Sequence, residues 1–477
     1  MTADASATAK AAIPQRVHLV GVGGAHMSAI AQILHAWGHT ITGSDQKASP
    51  MTEKLSRLGI DVRIGHAADH VGDAELVVYT SAAHGDNPEI AEAQRRGIPA
   101  IKRAEMVARL MQGRYSIAVA GTHGKTTTSG LIAHMLVEAK LEPTYLIGGE
   151  IRSLGTNAAP GKGRYIVVEA DEYDRAFLSY TPDVAVVTNI EPDHLDIYGT
   201  VEELQRAFGQ FMAAAPAEGH VIACADSPRV RETVASSDIK ARDVSTYALE
   251  QEAAWRATGV VPVEGGQTFS VSHMGREVGT FRITLPGKHN VSNALAGIAA
   301  GTTIGIEADV MRAALATYRG AQRRFEYVGE ARGVTVMDDY AHHPTEVREG
   351  TIAAAKQRFP GRRLVLLFQP HTFTRTAYLL DDWKTCFAGV DALYITHTYP
   401  AREEATAGLS GADLVSALTP GPSPREGEGS SVRYVDSFEE AADVIAGDLR
   451  EGDVFFTVGA GDVDSVGPMV LERLRRG

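Results

Sequence analysis

The sharpest chemical signal in this 477-residue chain is Gly-Thr-His-Gly-Lys-Thr-Thr-Thr, residues 121–128. It joins an apolar run, Ser116–Ala120, to a helix that should open near Lys125. Gly121 and Gly124 let backbone N–H groups turn toward an anion, and the helix N-terminus adds positive potential. Lys125 can then meet β- and γ-phosphates, and the Thr126 hydroxyl can reach Mg2+. Thr122, His123 and Thr127 complete the expected cradle. The loop is a shortened variant of the general phosphate-loop pattern, which demands a glycine where this chain has Val119.

Mg2+ takes hard oxygen ligands. Two acidic runs follow the loop: Glu169, Asp171, Glu172 and Asp174 in VVEADEYD, then Glu191, Asp193, His194 and Asp196 in TNIEPDHLD. Each ends a segment that reads as a strand, and parallel sheets gather ligands at the carboxyl ends of their strands. A second glycine-rich turn, GVGGAHMS at 21–28, carries Gly21 and Gly23 but has His26 where the dinucleotide fingerprint needs its third glycine. That break argues against an NAD enzyme. Asp45, after the second strand, stands where such folds keep a ribose-binding acid.

These groups need a frame, and the pattern supplies an α/β one. In the first third, residues 17–20, 40–45 and 75–81 read as strands, while Ile30, Ile33, Leu34 and Trp37 keep helical spacing. NPEIAEAQRRG begins a helix with Asn-Pro, and IKRAEMVARLMQG leads out of the domain. In the middle third, 116–120, 165–170, 184–190 and 220–226 read as strands, and 260–285 as a small antiparallel insertion. In the last third, VTVMDDYAHHP, RRLVLLFQPH, DALYITHTY and DVFFTVGAGD read as strands ending in polar residues. Strand–helix alternation means βαβ units and mostly parallel sheets. Domains are expected at 15–112, 113–320 and 321–477.

Composition narrows the functional class. Lys plus Arg total 46 against 59 Asp plus Glu, a net charge of −13, which disfavours bulk nucleic-acid binding but leaves room for a small basic pocket. Cys224 and Cys386 are the only cysteines, too few for a disulfide framework or a CxxC metal site, and they suit a reducing cytoplasm. No run approaches the ~18 apolar residues of a membrane helix. Residues 1–14 read as a disordered tail and 418–431, LTPGPSPREGEGSS, as a flexible insert.

Eight motifs in order, GTHGKTTT, EADEYDRAFL, TNIEPDHLDIYG, GKHNVSNALA, RRFEYVGE, DDYAHHPTEV, FQPHTFTRT and GAGD, resemble the Mur ligase family, with the likeness running from Val17 to Gly467. The resemblance implies an N-terminal Rossmann-like domain for a UDP-sugar, a central P-loop ATPase-type domain and a C-terminal Rossmann-like domain. It implies ATP-dependent amide bond formation in peptidoglycan precursor synthesis. By this resemblance ATP would phosphorylate the lactyl carboxylate of UDP-N-acetylmuramate, and the amine of L-alanine would attack the acyl phosphate. A preformed peptide in place of L-alanine is the alternative acceptor.

Site residues carry over by the same resemblance. Thr126, Glu169 and His194 would hold metal, Asn290 would touch adenine, and Arg324 and Asp339 would reach the nucleotide. Tyr340, His342 and Arg375 would form the amino-acid pocket, with Arg375 pairing with the carboxylate in a planar two-point contact. Gly21, Gly23, Gly24, His26, Met27, Ser44, Asp45 and Ser81 would receive the UDP-sugar. Lys125, His194, His342 and Arg375 would act in catalysis. The chain departs from its resemblance at His26 and Ala341, where close members carry glycine, and at Thr372, where they carry arginine. The expected assembly is a monomer or homodimer, acting without nucleic acid or membrane. An intact Lys125, Thr126 and acidic set disfavour a non-catalytic nucleotide-binding regulator.

Overall fold

The structure is a computed structural model and describes residues 13–83, 85–401, 403, 408–419 and 431–476. The tail read over 1–14 and the insert read over 418–431 fall almost wholly outside the described residues. The chain forms two compact units. One comprises the residues through Leu285 with Asn290–Ala321, and the other comprises Pro286–His289 with Gln322 onward.

The first unit holds two sheets. The smaller contains β1 (Arg16–Val20), β2 (Thr40–Asp45), β3 (Asp61–Ile64), β4 (Leu76–Tyr79) and β5 (Ala100–Lys102). All pairings are parallel, in the order β3-β2-β1-β4-β5. The order reverses between β1 and β4, so the loops after these strands flank a switch point, the usual ligand crevice of such sheets. The helix Ala25–Ala36 buries Met27, Ile30, Ile33 and Leu34 as one stripe. Asp61-Val-Arg-Ile forms a largely exposed edge strand without strict alternation, so its pattern is hard to read from sequence.

The larger sheet contains β6 (Tyr115–Ala120), β7 (Thr144–Ile151), β8 (Thr156–Ala159), β9 (Tyr165–Glu169), β10 (Val184–Val187), β11 (His220–Cys224), β12 (Asp243–Ala248), β13 (Trp255–Val263), β14 (Gly266–His273) and β15 (Arg276–Ile283). Its order is β15-β14-β13-β12-β11-β10-β6-β9-β7-β8. β6 lies between β10 and β9, both parallel to it, and Ser116–Ala120 are buried on both faces. The expected insertion at 260–285 is instead the outer part of this same sheet. β13 pairs in parallel with β12 through Tyr247–Trp255 and Ala248–Arg256, and β14 and β15 continue from it as an antiparallel meander. Buried Trp255, Phe269 and Phe281 fuse the meander to the core, which an independent insertion would not need.

The second unit holds β16 (Glu326–Ala331), β17 (Val334–Asp339), β18 (Leu364–Phe368), β19 (Ala392–Ile395), β20 (Ser431–Tyr434) and β21 (Val454–Val458), ordered β16-β17-β21-β18-β19-β20. Only β16 runs antiparallel. The loops after β17, β21 and β18 therefore neighbour one another at one sheet end.

Candidate active site

The turn after β6 explains its own glycines. Gly121 has φ +141, and a Cβ there would collide with Thr188 Oγ1. Gly124 has φ +81, and a Cβ would lie 2.5 Å from Asn293 Oδ1. The loop is held from the strand alongside: Thr188 Oγ1 and Asn189 Nδ2 donate to the His123 carbonyl at 2.6 and 3.0 Å, and His123 N donates to Asn189 Oδ1 at 2.8 Å. Thr122 Oγ1 accepts from Glu191 N at 2.9 Å. Thr127 is buried, and its carbonyl takes the Tyr318 hydroxyl at 3.2 Å. Thr188, Asn189 and Asn293 were not expected from the sequence. The Thr-Asn that ends the VAVV strand was the available sign for the first two.

Lys125 opens the helix Lys125–Glu138. Its Nζ donates to the carbonyls of Gly121 (2.6 Å) and Thr122 (3.1 Å) and to Glu172 Oε1 (2.9 Å). Burial pulls the ammonium down, but Glu172, Asp171 and Glu169 outweigh it and hold Lys125 charged, above its ordinary value. Thr126 Oγ1 donates to Glu169 Oε1 at 3.0 Å, and Gly148 N donates to Glu169 Oε2 at 2.7 Å. Burial pushes the Glu169 carboxyl up against the opposing charge of Lys125. A half-buried hydroxyl beside a buried carboxylate in that condition suits a hard divalent cation, whose charge would offset the desolvation. His194 lies on the segment that follows β10. It precedes the short helix Leu195–Tyr198 in a left-handed conformation (φ +53), packs edge-on to Tyr173 at 5.1 Å, and lies near Asp193 at 3.7 Å. Its charge is felt at Asp171 and Glu172. Asn290 is buried at the start of the helix containing Asn293, whose Nδ2 donates to Asn290 Oδ1 at 3.4 Å.

The glycine-rich turn after β1 is anchored to β2. Gly21 N and Val22 N donate to the Ser44 carbonyl at 2.8 and 2.9 Å, and Gly23 N donates to Asp45 Oδ2 at 2.8 Å. Gly21 takes φ +80, and Gly24 caps the helix Ala25–Ala36 without a side-chain bond. Asp45 is therefore bonded to the loop itself. The Met27 side chain is buried in the core, and Ser44 is fully buried with Oγ donating to Glu89 Oε2 at 2.6 Å. Ser81 Oγ donates to Asp174 Oδ2 at 2.8 Å, as does Lys102 Nζ at 2.8 Å, which ties the smaller sheet to the segment after β9.

Glu89 was also missed. Its buried carboxylate meets His18 Nε2 (3.3 Å), His70 Nδ1 (3.0 Å), His66 Nδ1 (3.4 Å) and Ser44. Burial works to raise it, yet the bonds from His18 and Ser44 and the nearby histidine charge bring it down to about 2. The histidine inside the apolar strand VHLV was the available sign, because a buried imidazole needs a partner.

In the second unit, Arg324 Nη1 donates to Glu346 Oε1 at 3.0 Å and its guanidinium lies 5.2 Å from the Tyr340 ring centre. His342 N donates to Glu346 Oε2 at 3.0 Å, and its ring lies 5.5 Å from Tyr340 and 5.4 Å from His371. Arg375 Nη1 donates to His371 Nδ1 at 2.8 Å, so Tyr340, His342 and Arg375 are linked through His371. Asp339 is buried, accepting from Thr351 Oγ1 (2.8 Å) and Ala341 N (3.3 Å). Burial, opposed by Arg324, pushes its carboxyl up to about 6. Arg323, unremarked in the sequence, pairs with Asp338 at 3.0 Å and donates to the Gly459 and Gly461 carbonyls at 2.8 Å each, fixing the loop after β21.

Three α/β parts, with a lysine-bearing glycine turn at one strand end and a second glycine-rich turn at another, fit a nucleotide-using ligase, and the chain belongs to the Mur ligase family. The family's catalytic-domain, middle-domain and glutamate ligase domain models match residues 16–115, 119–301 and 323–461. More particularly, the chain is 43% identical over 474 residues to the UDP-N-acetylmuramate–L-alanine ligase of Koribacter versatilis, covering 96% of this chain and 97% of that one. It is 42% identical over 462 residues to the enzyme of that name from Geotalea daltonii, covering 97% and 98%. Among solved structures, the UDP-N-acetylmuramate-alanine ligase of Thermotoga maritima superposes with a TM-score of 0.81 at 28% identity, covering 97% of this chain and 99% of that one. A murein peptide ligase from Psychrobacter arcticus gives 0.73 at 25%, covering 97% and 99%.

Proposed function

We propose that the protein is an ATP-dependent ligase that joins L-alanine to UDP-N-acetylmuramate through an acyl phosphate, in peptidoglycan precursor synthesis. The observation that carries this reading is the half-buried Lys125, held charged at the base of the 121–128 turn beside the Thr126–Glu169 pair. A carboxylate is a poor acyl donor until phosphorylated, and phosphoryl transfer asks for positioning and charge neutralisation more than covalent help.

In this reading Gly121, Thr122, His123, Gly124, Thr126 and Thr127 cradle the phosphates, and Lys125 exchanges a present partner for them. Thr126 and Glu169, with His194, would hold Mg2+, which when bound neutralises the phosphate oxygens. Asn290, Arg324 and Asp339 serve the nucleotide. Gly21, Gly23, Gly24, His26, Met27, Ser44, Asp45 and Ser81 lie on the sugar-nucleotide side, and Tyr340, His342 and Arg375 hold the amino acid. The domain limits 15–112, 113–320 and 321–477 belong to the same proposal. So does a cytoplasmic site of action, which two free, buried cysteines suit. No described helix is long and apolar enough to cross a membrane.

The test is ADP release from protein, Mg2+, ATP, UDP-N-acetylmuramate and L-alanine. Release should require both acceptor substrates. Release indifferent to L-alanine removes the reading, and release driven better by a preformed tripeptide replaces L-alanine as acceptor.

A further inference from the structure

His26 stands in the first turn of the helix Ala25–Ala36. Its Nδ1 lies 2.6 Å from Arg103 Nη1, and Nη2 of the same guanidinium donates to Asp171 Oδ2 at 3.1 Å. A guanidinium donates only. His26 Nδ1 must therefore accept, which leaves the ring neutral with its proton on Nε2. That Nε2 is buried and without a hydrogen-bond partner among the described residues, so the ring is oriented by Arg103 rather than by a second contact. Burial first, then the charge of Arg103, lower His26 to about 3, so the accepting form persists across the neutral range.

Arg103 leads from His26 into one short segment. Asp171 lies two residues before Tyr173 and next to Glu172, which holds Lys125, and Asp174 takes Ser81 and Lys102. Asp174 and Arg175 both have φ +55, a conformation that residues other than glycine keep only when the surroundings impose it. The segment 171–175 thus has Lys102 and Arg103 on one side and the phosphate-loop lysine on the other. Gly121, Thr122 and Glu172 occupy the three N–H donors of Lys125, so a triphosphate must displace one of them. A phosphate oxygen arriving at the glycine-rich turn competes in the same way for Arg103.

We propose that His26 is a positioning residue that, through Arg103 and the segment 171–175, couples the glycine-rich turn to Lys125, so that a sugar nucleotide bound at the first changes the affinity for a nucleoside triphosphate at the second. The inference rests on the ligand assignment given under Proposed function. Coupling of this kind is reciprocal, each ligand shifting the other by the same factor.

The experiment is calorimetric titration of the full-length protein with a non-hydrolysable ATP analogue and Mg2+, with and without saturating UDP-N-acetylmuramate, and the reverse titration. The unsubstituted protein should show at least about a fivefold shift in Kd, equal in both directions. His26→Ala should bring the ratio close to one. His26→Asn, whose side-chain oxygen can accept from Arg103 in place of Nδ1, should restore most of it. Arg103→Lys, which cannot bridge two acceptors with a planar fork, should lose it as His26→Ala does. An unsubstituted protein that binds both ligands with a ratio of one overturns the coupling, as does an unchanged ratio in His26→Ala. A protein that binds no UDP-N-acetylmuramate overturns instead the functional reading beneath it.

Discussion

The ammonium of Lys125 is already fully bonded, to two carbonyls of its own loop and to Glu172, so under the proposed function nucleotide recognition at this residue is an exchange of partners. Lys125→Ala should lower ADP release by at least about a thousandfold, since it removes charge stabilisation from the transferring phosphoryl group. Far-UV circular dichroism and a cooperative urea transition should be retained. Asp339 predicts a pH effect. An unfolded aspartate titrates near 4, and the buried one at about 6. Between those values the native state holds the extra proton, so this group's contribution to stability falls as pH rises and is fully lost above about 6. The shift corresponds to about 3 kcal/mol. Relative to the unsubstituted protein, Asp339→Asn should gain about that much stability between pH 4 and pH 7, read from urea unfolding at the two values.

Single elements set how these residues are presented. The 121–128 turn keeps its shape because Gly121 and Gly124 occupy backbone conformations that side chains rarely take, pressed against Thr188 and Asn293. Gly121→Ala should cost about 2–4 kcal/mol in urea unfolding and weaken binding of the ATP analogue at least about tenfold in calorimetric titration. In the smaller sheet, Glu89 joins β1 and β2 to the helix Pro88–Arg95 through His18 and Ser44. Its folded carboxyl lies at about 2, below the unfolded value near 4.3. The stability it contributes is present above the unfolded value and lost as pH falls toward 2. Glu89→Gln should destabilise by about 3 kcal/mol at pH 7 and by clearly less at pH 3, measured by the same method. The strand–loop–helix starts at 17–28 and 116–128 were legible because apolar runs, glycines and helical spacing are local signals. The β13–β15 meander was legible as antiparallel but not as part of the main sheet, because its attachment is the β12–β13 pairing, a matter of which edge it meets.

At the scale of the whole chain, two compact units carry the candidate groups, and the first contains both the glycine-rich turn and the phosphate loop. A ligand that binds only the folded state should therefore stabilise that unit by mass action. The ATP analogue with Mg2+ at a hundred times its Kd should add about 2.7 kcal/mol to the unfolding free energy of the unit. Chelation with EDTA should remove most of that gain if Thr126 and Glu169 hold the cation, and full retention of the gain would argue that they do not.

The sequence alone determined that the chain is α/β, where its glycine-bounded lysine turn lies, and the ordered motifs by which it resembles its family. Those features depend on backbone freedom and on the spacing of residues close together in the chain. Only the tertiary structure decided which acid meets which cation. Glu172 rather than its neighbours takes Lys125, Asp171 takes Arg103, Asp174 takes Lys102, and Ser44 is turned inward to Glu89. Such partners lie 45 to 72 residues apart. Their meeting depends on strand order and register, which bring particular strand ends together and which no local pattern encodes.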